Sequence, residues 1–403
     1  MGEVVNKPTY PAEQAKRIAV CGHHEARGGA EVALFRMLTL LRRRGCDIVF
    51  VTKNNTDVIE DLIPEGVTVV RVSADSRWSR FLGTLLGKGE RPRWWMRVVR
   101  KTLHVLSGKR HYWAFEYAGR HLTGLPKGPF DAVLDFEGYS CIDTVIGSRI
   151  SAPIRATWIH TEEVDLSATY SYFLRYYDRI FCVSQTAQVA LSARYPRLAD
   201  RSRMLFTPID VDLIRRRSMA DVSPEPQGTD PSVFRIVTVC RLSQEKNLEL
   251  SVHVAATLRD RGLNFLWEVF GEGVERTGLQ TLIDRLGLTG RFVLRGAVSN
   301  PYPYMKRADI YVQTSKHEGF GLTVQEAKIL GIPVVVTDIP AFREQIVDGQ
   351  TGFLRPADVE ALADAIIRLA RHPEERRRMA ENLAKVDWDG QQDMSPLYEF
   401  LGL

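Results

Sequence analysis

Twice along its 403 residues the chain runs from a short apolar strand through a glycine-containing turn into an amphipathic helix and back to an apolar strand. No other feature of the sequence narrows the possible folds as much. The first instance opens with RIAVCG at 17–22, continues as GGAEVALFRMLTLLRRRGC, and returns as DIVFVT. Its helix carries Val32, Leu34, Phe35, Leu38 and Leu41 at helical spacing and ends at Gly45. A strand, helix and strand joined this way form a βαβ unit, which implies a parallel sheet with helices on its faces. Further strands are expected at 67–72, 132–136, 156–159 and 179–183. A proline-rich, polar stretch at 218–232, SMADVSPEPQGTDPS, then interrupts the pattern. Beyond it the alternation starts afresh with FRIVTVC, NLELSVHVAATLRDRG, LWEVFGEG, TGLQTLIDRLGL, RFVLRG, IYVQTS and IPVVVT.

A chain of this length exceeds the ~250–300 residues at which single cores stop growing, so two domains are expected. The boundaries read as a disordered lead-in at 1–16, a first Rossmann-like domain at 17–215, a linker at 216–232, a second Rossmann-like domain at 233–385, and a C-terminal helix at 386–403 crossing back to the first domain. The fold class is therefore α/β with two doubly wound domains. Open α/β sheets bind ligands outside the carboxyl ends of their strands, which places the expected site in the cleft between the domains.

Composition excludes several function classes. With 44% apolar and 26% charged residues, and no run of the ~18 apolar residues a membrane span needs, the chain reads as globular. The opening MGEVVNKPTYPAEQAKR has no apolar core of the secretory kind, so a cytoplasmic location is expected. Five cysteines, Cys21, Cys46, Cys141, Cys182 and Cys240, are odd in number and widely spaced. They read as buried free thiols and not as a metal or disulfide framework. The net charge of +5 is local: 71–120 holds twelve Lys or Arg against three Asp or Glu, an excess larger than the whole-chain value.

The chemistry concentrates in SKHEGFGLTVQEAKILGIPVVVTDIPAFREQIVDGQTGFL, at 315–354. Glu318 and Glu326 stand with seven residues between them, and Gly319-Phe320-Gly321 opens a helix at about Leu322, followed by Thr323. Glycines admit close approach to a ligand, and free amides at a helix start favour a phosphate. Ionised carboxylates beside that point accept hydrogen bonds from sugar hydroxyls. This segment resembles the Glu, seven residues, Glu signature of the family-4 retaining glycosyltransferases of the GT-B fold. VTVCRLSQEKN resembles that family's Gly-Arg-Leu-x-x-Glu-Lys segment, with Cys240 in place of its glycine. FGEGVE, with Gly271 and Gly273, resembles its glycine turn, and RGGAE, with Gly28 and Gly29, its N-terminal glycine loop. FTPIDVD resembles the stretch before the second domain, with Thr207 and Pro208 where Asn and Gly are usual.

The resemblance implies that Arg241 and Lys246 grip the donor diphosphate, Glu326 the ribose and Glu318 the transferred sugar. It also sets Gly28 and Gly29 close to the diphosphate or acceptor, and His160, which follows the strand ATWI, against the donor sugar. Cations aimed at the leaving diphosphate lower the barrier as its charge grows. The implied reaction is retaining transfer of a hexose, with a UDP-hexose the commonest donor, to a glycan or lipid-linked acceptor in bacterial surface polysaccharide synthesis. No cofactor or metal is expected: Asp210-Val211-Asp212 matches a metal-binding Asp-x-Asp pattern but falls at the domain connection. Glu162 and Glu163 read as a solvated loop.

The basic segment at 71–120 also holds Trp78, Trp94, Trp95 and Trp113, four of seven tryptophans. Arginine heads with interleaved tryptophan suit an anionic headgroup boundary, so docking on the inner membrane face is expected there. Ordinary helices with a solvated basic face are the alternative. Nucleic acid is not expected as a partner, because no binding motif accompanies the charge. Two further readings stay open: a non-catalytic nucleotide-sugar binding subunit, and a GT-B enzyme of another reaction such as a phosphorylase or epimerase. An NAD enzyme is disfavoured, since RGGAE lacks the Gly-x-Gly-x-x-Gly pattern.

Overall fold

The computed structural model describes residues 15–22, 29–53, 63–74, 115–116, 119–138, 141–162, 164, 166, 168–221, 230, 232–388, 390 and 393–403. Gly28, Glu163, most of the lead-in, the basic tryptophan-rich stretch at 75–114 and most of the proline-rich linker lie outside the described residues. The first domain contains β1 (Arg17–Cys21), β2 (Asp47–Thr52), β3 (Thr68–Arg71), β4 (Ser73–Ala74), β5 (Leu122–Thr123), β6 (Ala132–Asp135), β7 (Ile154–Ile159), β8 (Arg179–Cys182) and β9 (Ser202–Met204). Its helices are α1 (Gly29–Arg43), α2 (Cys141–Arg149), α3 (Ala168–Phe173), α4 (Gln185–Arg194) and α5 (Val211–Arg217). Seven strands form a parallel sheet in the order β3-β2-β1-β6-β7-β8-β9, and β4 and β5 make a small antiparallel pair.

The second domain contains β10 (Phe234–Val239), β11 (Phe265–Phe270), β12 (Phe292–Gly296), β13 (Ile310–Gln313), β14 (Val334–Thr337) and β15 (Gly352–Arg355), ordered β12-β11-β10-β13-β14-β15 and all parallel. Its helices are α6 (Leu248–Asp260), α7 (Arg276–Arg285), α8 (Tyr302–Lys306), α9 (Leu322–Ile329), α10 (Pro340–Arg343), α11 (Val359–Arg371) and α12 (Pro373–Ala384). The chain ends in α13 (Ser395–Leu401). Both sheets are doubly wound, as the alternation implied. Their strands are nearly continuous apolar runs, such as Ile18 to Cys21 and Val334 to Val336, because helices cover both faces.

Strand order reverses between β1 and β6 in the first sheet and between β10 and β13 in the second. At such switch points the loops leaving neighbouring strands part in opposite directions and open a crevice. In the second domain those loops are 240–247 after β10 and 314–321 after β13.

The domains share one apolar cluster, which joins Leu34, Phe181 and Leu205 of the first to Phe320, Phe342 and Val324 of the second. Helix α13 lies against the first sheet: Leu397 and Leu401 enter the cluster with Leu41, Phe400 meets Phe181 at 6.0 Å, and Arg44 stacks over Tyr398 at 4.1 Å. Asp210 caps α5 through Leu213 N at 2.9 Å and pairs with Arg36 at 2.8 Å, which occupies both its carboxylate oxygens. The four cysteines whose surroundings are described are free thiols. Among the described residues no helix is long and apolar enough to cross a membrane.

Candidate active site

The site begins with what ends β13. After the apolar Ile310 and Val312 the strand closes on Gln313, Thr314 and Ser315, polar side chains buried almost completely at the carboxyl edge of the sheet. Burial at this depth demands partners: Thr314 Oγ1 donates to the Asn247 carbonyl at 3.0 Å, while Gln313 and Ser315 are chained. The Tyr311 hydroxyl lies 2.8 Å from Gln313 Oε1, Gln313 Nε2 donates to Ser315 Oγ at 2.8 Å, and Ser315 Oγ donates to Glu318 Oε1 at 2.7 Å. From the other side of the switch point Lys246 Nζ reaches both oxygens of Glu318 at 2.8 Å. The loops after β10 and β13 are thereby tied together by a largely buried ion pair, Lys246 being 20% and Glu318 10% exposed at the side chain. Arg241 stands at the head of the same loop, exposed, its guanidinium in no hydrogen bond or ion pair among the described residues.

Gly321 caps α9 with φ 86°, in the left-handed region, and offers no side chain to the helix start. Only glycine takes that conformation freely; Val324 N is spent on the Gly321 carbonyl at 3.0 Å, which leaves the Leu322 and Thr323 amides for an anion. On the same helix Glu326 is 8% exposed and accepts from the Tyr302 hydroxyl at 3.1 Å. Burial pushes its carboxyl up to about 7, against the pull of the Tyr302 hydrogen bond. Thr323 Oγ1 lies 2.9 Å from the Tyr311 hydroxyl, so α9 is pinned to β13.

The first domain brings His160, at the end of β7. Its ring packs against Phe136 with centroids 5.0 Å apart, and Nε2 meets the Phe136 carbonyl. A carbonyl only accepts, so Nε2 carries the proton and Nδ1 is left as an acceptor. Burial lowers the His160 pKa below its usual 6.5, partly opposed by that carbonyl, so the ring is neutral near pH 7. Gly319 lies directly against this residue: a Cβ placed there would sit 1.8 Å from the His160 carbonyl oxygen. His160 and the Glu318 loop are therefore neighbours across the cleft.

Several of the residues singled out in the sequence also do structural work. The space beside Gly271 and Gly273 is filled by backbone of the 240–242 loop, with hypothetical Cβ atoms 1.8 Å from Cys240 O and 2.2 Å from Leu242 O. These glycines let the cation-bearing loop pack on β11. The Phe320 ring is buried in the interdomain cluster, 5.6 Å from Phe206, so its side chain is core. Leu322 opens α9, and Gly29 opens α1. Glu162 is not in a solvated loop: its side chain is 10% exposed and lies 3.6 Å from His317 Nδ1, because the second domain covers it. Ser315, Gln313, Tyr311 and Tyr302 were not singled out in the sequence. The signal that could have found them is a polar Gln-Thr-Ser run ending an otherwise apolar strand.

Residues 221–386, which supply all of these second-domain groups, match the family described as Glycosyl transferases group 1. That stretch is thus similar to a group 1 glycosyl transferase domain. Alpha-D-kanosaminyltransferase of Streptomyces kanamyceticus is 34% identical over 246 residues, 60% of this chain and 61% of that one. The chain thus spans less than two thirds of that relative's length. GDP-mannose-dependent alpha-mannosyltransferase of Mycolicibacterium smegmatis is 29% identical over 87% of this chain and 86% of its own. Two solved structures share the two-domain GT-B fold. TarM superposes with a TM-score of 0.70 at 10% identity, covering 98% of this chain and 100% of that one. Anabaena HepE in complex with UDP-glucose superposes with a TM-score of 0.68 at 18% identity, covering 96% and 98%.

One titration, shared between the two domains, can be checked directly. Glu326 and the fully buried Asp135, pushed up to about 7 by burial and by nearby Asp143, both keep protons that the unfolded chain releases near pH 4. The folded state then binds more protons between about pH 4 and 7, so stability falls as pH rises through that window and levels off above it. Between pH 5.5 and 8 the Glu326 contribution is about 2 kcal/mol. Glu326→Gln is expected to flatten the decline in urea midpoint over that range. A decline as steep as in the unaltered protein would contradict the assignment.

Proposed function

We propose that this chain is a glycosyltransferase that moves a sugar from a nucleoside diphosphate donor to a hydroxyl of a glycan or lipid-linked acceptor. The observation that carries the reading is the convergence at one switch point of Lys246, Glu318 and the uncapped start of α9, with Arg241 exposed beside them. A diphosphate placed there meets fixed positive charge from Arg241, Lys246 and the helix amides. As the bond from the sugar C1 to the diphosphate oxygen breaks, that charge stabilises the leaving group. The acceptor oxygen bonds to C1, and its proton passes to a departing phosphate oxygen. Glu318, released by Lys246 as the phosphates arrive, takes sugar hydroxyls, and neutral His160 supplies an acceptor at Nδ1. Glu326 takes the ribose hydroxyls.

Two relatives, the alpha-D-kanosaminyltransferase and the alpha-mannosyltransferase, are named for alpha transfer. With a donor whose sugar is α-linked to the diphosphate, an α product means retention, and this is the stereochemical course we assign. The structural neighbour HepE holds UDP-glucose, which makes a UDP-hexose the first donor to try, with GDP-mannose next. Surface polysaccharide synthesis is the pathway class we infer from the resemblance of the chain's motifs. No metal has a part in this reading, so chelation leaves turnover unchanged.

The decisive experiment is a panel of UDP-, GDP- and dTDP-sugars screened for thermal stabilisation, then for donor turnover with and without acceptor glycans. At a hundredfold excess over Kd, a ligand that binds only the folded state stabilises by ~2.7 kcal/mol. Stabilisation by one donor and acceptor-dependent turnover are expected. Stabilisation without any turnover points to a binding subunit, and absence of stabilisation by every member sinks the proposal.

A further inference from the structure

The opposite flank of α9 faces a second feature, a cavity of about 360 Å³ between the domains. Thr323 and Glu326 bind Tyr311 and Tyr302 on one side of the helix, while Gln325 and Lys328 line the cavity on the other. Its apolar walls are Phe206, Ile209, Phe320 and Trp388, drawn from both sides of the domain boundary. A volume of this size is in the range of small-molecule sites, which pair apolar walls with a few placed polar groups.

The charges on the wall do not balance. Glu344 is spent on the start of α4, accepting from Gln185 N at 3.0 Å and Thr186 N at 2.7 Å. Arg343 is held by Asp338 at 2.6 and 3.0 Å. Lys328, only 4% exposed, meets the neutral oxygens of Gln325 Oε1 at 3.1 Å and the Gln345 carbonyl, and its Nζ lies over the Trp388 ring, 5.3 Å from the centroid. No carboxylate pairs with it among the described residues. An ammonium buried without a counter-charge is costly, and burial pulls its pKa down to about 8. Beside it Gln345 Oε1 is buried without a hydrogen-bond partner.

We infer that this interdomain cavity is a ligand site, separate from the donor cleft, for a small monocarboxylate with an aromatic body whose carboxylate pairs with Lys328. The aromatic walls take the ring, and the carboxylate supplies the missing counter-charge. Because Phe206 and Ile209 belong to the first domain and Lys328 to the second, the bound molecule bridges them.

The probe is hydrocinnamate, titrated calorimetrically into the full chain near pH 7, with hydrocinnamyl alcohol as the neutral control. Saturable binding of the acid is expected, with the alcohol at least about tenfold weaker, the effect of losing one charge-assisted hydrogen bond. Lys328→Met is expected to weaken the acid by about tenfold or more and to leave the alcohol unchanged. Ile209→Trp, which fills the cavity from the opposite wall and keeps Lys328, abolishes binding of both and serves should the lysine variant not fold. Nucleoside diphosphates should not displace the acid, which makes the result independent of whether the donor proposal holds. No saturable binding, equal affinity in both variants, or displacement by a nucleoside diphosphate overturns the inference.

Discussion

Arg241→Met combined with Lys246→Met is expected to lower turnover of the cognate nucleotide sugar by at least about 10³-fold. Removal of one preorganised donor to a developing anion typically costs ~10²–10³ in rate, and here two full charges are lost. The effect should fall on kcat as well as on kcat/KM, because the charge on the diphosphate grows as the glycosidic bond breaks. Both side chains sit on the 240–247 loop at the cleft, Arg241 exposed and Lys246 in a largely buried pair with Glu318, so the variant should lose some stability and keep its fold. Glu318 loses its ion-pair partner but retains the Ser315 hydroxyl at 2.7 Å. Steady-state kinetics with a radiolabelled donor, alongside circular dichroism, check the point. Undiminished turnover would remove the physical basis of the proposed mechanism.

Gly319→Ala is expected to damage both stability and rate, although it adds one methyl group and removes no chemistry. The new Cβ would lie 1.8 Å from the His160 carbonyl oxygen and 2.7 Å from its carbon. That neighbour is backbone at the end of β7 and cannot rotate aside, so either the glycine loop or the domain pairing must shift by about 1 Å. Overpacking of this kind costs ~1–3 kcal/mol. A displacement of that size between a positioned group and its substrate costs about 10²-fold in rate. Gly278→Ala is the matched control: it lies within α7 and its Cβ would meet nothing within 4 Å. The control should keep full turnover and match or slightly exceed the parent in stability. Equal behaviour of the two variants in thermal unfolding and in kinetics would show that the contact between Gly319 and His160 does not matter.

The alternation of strands and helices could be read along the chain because each element repeats its apolar period within itself. Strand β1 and helix α1 each carry enough residues to show a period. Strands β9 and β15, of three and four residues, do not. Their pairing with β8 and β14 is a contact between distant segments, invisible to local periodicity.

The same division runs through the site. A glycine turn opening a helix between two glutamates could be read from local sequence, and the resemblance to a known family singled out the cations Arg241 and Lys246, because each of those features is local. That Lys246 and Glu318 meet is a fact of strand order, since β10 and β13 are neighbours only once the sheet is wound. The relay from Tyr311 through Gln313 and Ser315 to Glu318 depends on burial at the sheet edge, where ordinary polar residues must find one another. The surroundings of Glu162, the core position of the Phe320 ring and the uncompensated charge of Lys328 exist only because two domains close on one another. Sequence by itself determined what each segment becomes and which side chains it carries, since backbone preference and apolar period act over a few residues. Tertiary structure decided which of those side chains touch, which lose their water and which charges go unanswered, because desolvation and pairing depend on neighbours that the chain supplies from far away.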